Sequence, residues 1–102
     1  MLFGWFSKKK EDNSTIKHKV VSRKEASDEY VKYGEDMANS NNLDKAIECF
    51  DKAIENRESY AKAWYNKGRA LSLLGELKRS QDCFDKARKL DPLLYTKLKK
   101  MK

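Results

Sequence analysis

At 102 residues the chain is sized for one domain, and its formal net charge of +7 raises the question of nucleic acid. The placement of that charge argues against it: residues 1–26 hold seven basic and three acidic side chains and residues 93–102 four lysines, whereas residues 27–92 hold twelve basic against thirteen acidic. Charge confined to tails does not build the basic, aromatic-lined face that follows a phosphate backbone, which argues against nucleic acid as the partner and leaves an RNA- or ribosome-associated basic module as the alternative.

The N-terminus is apolar at Leu2, Phe3, Trp5 and Phe6, and Lys8, Lys9 and Lys10 follow at once. The apolar run is shorter than the ~7–15 residues of a signal-peptide core and carries its positive charge on the wrong side. Nor does any stretch approach the ~20 apolar residues of a membrane span. Three readings stay open: a weak, reversible anchor with the rings among lipid headgroups and the lysines on anionic lipid; a segment that fills the protein's own groove, packs between protomers or meets a partner; or a disordered tail. Residues 8–15 are polar and aperiodic, so residues 1–22 form a flexible basic segment ahead of a folded domain at 23–102.

Ser22 followed by Glu25 spells a capping box, which starts a first helix near residue 23. Asn41 and Gly75 suit the left-handed turn that ends a helix, and Asn42 is expected to cap the helix that follows. Over residues 43–54, Leu43, Ala46, Ile47, Phe50, Ala53 and Ile54 recur at steps of three and four and line one helix face. Gly34 and Gly68 sit inside helices at a cost of about 1 kcal/mol each, which points to close approach by a partner helix. Pro92 suits a helix start, and Leu94, Leu98 and Met101 then give a short capping helix at 93–102.

Residues 27–60 and 61–94 repeat one pattern at an offset of 34: Gly34 with Gly68, Leu43 with Leu77, Cys49 with Cys83, Phe50 with Phe84, Asp51 with Asp85, Lys52 with Lys86 and Ala53 with Ala87. The period, with Tyr30, Gly34, Met37, Ala46, Phe50 and Ala53 in the first copy and Trp64, Gly68, Leu71, Phe84, Ala87 and Pro92 in the second, resembles the tetratricopeptide repeat. That resemblance implies an all-α fold, two helix-turn-helix units in a right-handed antiparallel stack with a C-terminal capping helix. Glu58 replaces the terminal proline of the first copy, Lys67 a usual leucine, and Ser80 and Gln81 stand opposite Ala46 and Ile47, so the last helix of the second pair is expected to pack loosely along that edge.

The resemblance also implies a non-enzymatic scaffold or adaptor that binds a peptide or partner helix on its concave face. Its groove positions fall on Asp28, Val31, Lys32, Glu35 and Asn39 in the first copy and on Lys62, Tyr65, Asn66, Arg69 and Leu73 in the second. Asn66 offers a donor and an acceptor, Lys62 and Arg69 suit a carboxylate, Tyr65 an aromatic platform, and Lys99 and Lys100 extend the positive wall. Asn66 matches the asparagine with which some members clamp chaperone tails, but Val31 and Glu35 stand where that clamp uses Lys and Asn.

Other chemistry is sparse. His18 is alone in the basic tail, glycines at 4, 34, 68 and 75 form no phosphate loop, and no nucleophile, base and orienting group can be named together; no cofactor or metal is expected. Cys49 and Cys83, a full repeat apart, are too distant to bridge and read as reduced core residues of a cytoplasmic protein, peripheral at the inner membrane surface if the tail meets lipid. Two repeats and a short helix make a small core, closed either by the end helices or by homodimerisation.

Overall fold

The computed structural model describes residues 22–101. Five helices follow in order: α1 (Arg23–Asn39), α2 (Leu43–Asn56), α3 (Ala61–Leu73), α4 (Leu77–Leu90) and α5 (Pro92–Lys100). α1 pairs with α2 and α3 with α4; α3 joins the pairs by contacts with α1 and α2, and α5 rests on α3 and α4.

α1 starts at the expected capping box: the Glu25 N–H donates to Ser22 Oγ at 3.0 Å and the Ser22 N–H to Glu25 Oε1 at 3.1 Å. The turn within each of the two helix pairs closes by the same backbone device. Asn41 (φ 63°) and Gly75 (φ 87°) adopt the left-handed conformation, with Asn42 N–H on the Met37 carbonyl at 2.8 Å and Glu76 N–H on the Leu71 carbonyl at 2.9 Å. Asn42 stands at the α2 N-cap position but its side chain makes no capping hydrogen bond, contrary to the expectation from its residue type. Before α5, Asp91 does cap, accepting from the Leu94 N–H at 3.1 Å, with Pro92 in the first turn.

One core cluster holds Val31, Ala46, Phe50, Ala53, Ala63 and Ala70, joining both repeats. The helical glycines admit an aromatic ring from the paired helix: Phe50 lies over Gly34 and Phe84 over Gly68, so close that an added Cβ would collide with either ring. The edge at Ser80 is not loose. Ser80 is buried, and its hydroxyl donates to the Gly68 carbonyl at 2.8 Å, replacing apolar packing with a buried hydrogen bond between α4 and α3. Gln81 faces solvent and donates to Asp85. Lys67 pairs with Asp51 of α2 at 2.6 Å, so the cation standing in for leucine ties the repeats together.

Candidate functional site

α1, α3 and α5 line one side of the stack, and three adjoining clefts open there. The first, about 120 Å³, is bounded by Glu35, Ala38 and Asn39 of α1, by Phe50 below, and by Asn66, Arg69, Ala70 and Leu73 of α3. The second, about 310 Å³, lies among Glu35, Lys62, Tyr65, Asn66 and Arg69 and is closed by Leu98 of α5 and by Met101 just past its end. The third, about 360 Å³, adds Ser72, Phe84, Tyr95 and Lys99 to Tyr65, Arg69 and Leu73. Arg69 lines all three.

Most residues named from the sequence meet on this side, in two classes. Glu35, Lys62 and Asn66 are already joined: the Asn66 amide donates to Glu35 Oε2 at 3.1 Å, and Lys62 Nζ lies 3.6 Å from the same oxygen. This triad fastens α3 to α1 across the groove. Arg69 and Leu73, by contrast, are exposed, and no ion pair reaches Arg69 among the described residues. Asn39 and Lys99 stand exposed at the rims, while Lys32 and Lys100, also exposed, line none of the three clefts.

Two expectations need correction. Tyr65 is no open platform: it is buried, its ring 5.4 Å from Phe84 and 5.9 Å from Tyr95, so it floors the groove as part of an aromatic cluster. Val31 is a core residue, 2% exposed. Asp28 is also committed, accepting from the Tyr60 hydroxyl at 2.6 Å with Lys24 at 3.2 Å and Arg57 at 3.9 Å. The Tyr60 hydrogen bond chiefly holds its carboxyl below the usual range, and burial, then Asp28, pushes the Tyr60 phenol up.

Lys99 of α5 was expected at the groove, but Tyr95, Leu98 and Met101 were not: they wall it, although Met101 stays largely exposed. Adjacent apolar residues at 94 and 95 followed by Leu98 were the available signal for a broader inner face. Burial pushes both thiols up; Cys83 is buried and Cys49 half-buried, both unbridged. The tail residues Leu2, Phe3, Trp5, Phe6, Lys8, Lys9 and Lys10 lie outside the described residues. Among the described residues no helix is long and apolar enough to cross a membrane.

Comparison with known proteins agrees with this geometry. An uncharacterized protein of Methanocaldococcus jannaschii is 42% identical over 55 residues, a match covering 54% of this chain and 64% of that protein. Tetratricopeptide repeat family models match residues 38–60 and 61–92, together more than half of the chain. With the paired helices, the glycine-to-phenylalanine contacts and the shared left-handed turns, these matches mean that the chain belongs to the tetratricopeptide repeat family, a family of protein–protein interaction modules.

Proposed function

We propose that the chain binds an extended peptide or a partner helix bearing carboxylates along the side formed by α1, α3 and α5. The observation that carries this reading is Arg69, an exposed cation at the junction of three clefts with no ion-pair partner among the described residues. Lys62 and Lys99 add positive charge on either side against the single carboxylate of Glu35. A guanidinium matches a carboxylate with two parallel hydrogen bonds, while Leu73, Leu98 and the Tyr65 edge give apolar side chains a place beside it. Burial of Tyr65 and the Glu35–Asn66 bond support a reading in which those residues shape the groove and the exposed residues make contact.

The test is affinity capture from the source organism's lysate with the intact chain and with an Arg69→Glu, Leu73→Ser, Lys99→Glu variant. All three side chains are exposed, so circular dichroism should show unchanged helix content. A protein held by the intact chain and lost by the variant supports the reading. Capture of the same proteins by both forms refutes it.

A further inference from the structure

Because the repeats are copies, the second displays what the first lacks. Over α3 lies α2: Ala63 is fully enclosed beside Phe50 and Ala53, and Lys67 reaches Asp51 with only 17% of its side chain exposed. The positions of α1 that correspond at the 34-residue offset are Glu29 and Tyr33, and among the described residues no helix covers them. Tyr33 is 53% exposed, and an open cleft of about 440 Å³ runs from Ser22 past Ala26 and Tyr30 to Tyr33, with Asn56 of α2 on its far wall. The paired helices repeat the contrast: Cys83 on α4 is buried, whereas its counterpart Cys49 on α2 is only half-buried.

We propose that the chain's own N-terminal segment seats in this cleft, with Leu2, Phe3, Trp5 and Phe6 against Ala26, Tyr30 and Tyr33. In the second repeat the cover is the stretch immediately N-terminal to the covered helix; at α1 that stretch is residues 1–21, which join at Ser22 on the rim of the cleft. Length suffices. The 15 residues between Phe6 and Ser22 span up to ~50 Å when extended. The 17-residue α1 is ~25 Å long. Charge agrees as well: α1 carries five acidic against three basic side chains, and residues 1–21 five lysines against two acids. Seating the segment buries four large apolar side chains together with an exposed tyrosine.

Trp64→Phe leaves Trp5 as the sole indole of the 102-residue chain. The expected result is Trp5 emission shifted to shorter wavelength and acrylamide quenching several-fold weaker than in the denatured chain, both unchanged on serial dilution. Tyr33→Lys, which installs the residue of the second repeat, should raise quenching to the denatured level with helicity intact. Trp5 as open to quenching in the native as in the denatured chain overturns the proposal. Protection that fades on dilution gives the cleft to a second copy, and protection that appears only with phosphatidylserine vesicles gives the segment to lipid; either also overturns it. Cys49 supplies a readout with Trp64 in place: Phe3→Ser, Trp5→Ser, Phe6→Ser should speed its alkylation several-fold while buried Cys83 stays slow, and an unchanged Cys49 rate counts against the proposal.

Discussion

Gly34→Ala should destabilise the protein although alanine is the better helix former. In a helix interior the exchange gains about 1 kcal/mol. Against that, the new Cβ would sit 2.7 Å from Cδ1 and 2.9 Å from Cζ of Phe50, and closer still to Cε1. Carbon atoms rest ~3.5–4.0 Å apart, so the ring must retreat by roughly 1 Å. Phe50 is 1% exposed and enclosed with Val31, Ala46, Ala53 and Ala63, and the cleft above it is only about 120 Å³, so its ring has little room to retreat. Overpacking costs about 1–3 kcal/mol, and a ring this confined belongs near the upper end. The net loss is about 2 kcal/mol, or roughly 8–16 °C in Tm for a domain of this size. Gly68→Ala is the control. Its Cβ would lie 2.8, 2.8 and 3.2 Å from Phe84, which is half-buried and borders an open cleft. That ring can give way, so overpacking and helix propensity should cancel to within about 0.5 kcal/mol. Urea unfolding of both variants followed by circular dichroism measures the difference, and Phe50→Leu should recover part of the Gly34→Ala loss. A Gly34→Ala protein as stable as the parent, or no worse than Gly68→Ala, would refute the reasoning.

Ser80→Ala should cost about 1 kcal/mol in urea unfolding, because it removes the buried bond to the Gly68 carbonyl without adding apolar contact. Asp91→Ala should fray α5 at a cost of about 1 kcal/mol, seen as faster amide exchange over the nine residues of that helix with α1 and α2 unchanged. The Asp28–Tyr60 pair gives a pH window. Asp28 is depressed from its ordinary 3.8, so its contribution is present above about pH 4 and lost as the pH falls through its folded value. Tyr60 is raised from 10.0, so its contribution is full below that pH and lost as the pH climbs through the folded value. Thermal unfolding across pH should therefore show shoulders at both ends, and Tyr60→Phe should remove the alkaline one and shrink the acid one. An identical profile for the variant would mean that the 2.6 Å bond contributes nothing to stability.

What could be read from the sequence was whatever the 34-residue register carries within one helix pair. Gly34 and Gly68 announce their phenylalanines because a helical glycine is costly unless something presses on it. Asn41 and Gly75 announce their turns because few other residues accept positive φ. Register could not tell how contacts between pairs are shared out. Val31 and Tyr65 are equivalent positions and both are buried, but Val31 enters the core shared with α2 and α3, whereas Tyr65 is covered by Phe84 and by Tyr95, a residue of α5 beyond the second repeat. Ser80 departs from the loose edge expected of its polarity because the carbonyl that satisfies its hydroxyl, that of Gly68 at 2.8 Å, is supplied by α3 only in the folded stack.

The same distinction decides which groove residues can discriminate among partners. Asn66 donates to Glu35, and Lys62 lies near the same oxygen, so a partner using either must displace an internal interaction and leave a half-buried carboxylate less satisfied. Arg69 carries no such debt among the described residues, and Leu73 is 69% exposed. Affinity should therefore respond first to Arg69 and Leu73, whereas Asn66→Ala should act mainly through the seam between α1 and α3, lowering stability before it alters which partner is held. Measuring unfolding and capture on the same Asn66→Ala protein separates the two effects. Lost capture at unchanged stability would move Asn66 from the frame of the groove to its contact surface.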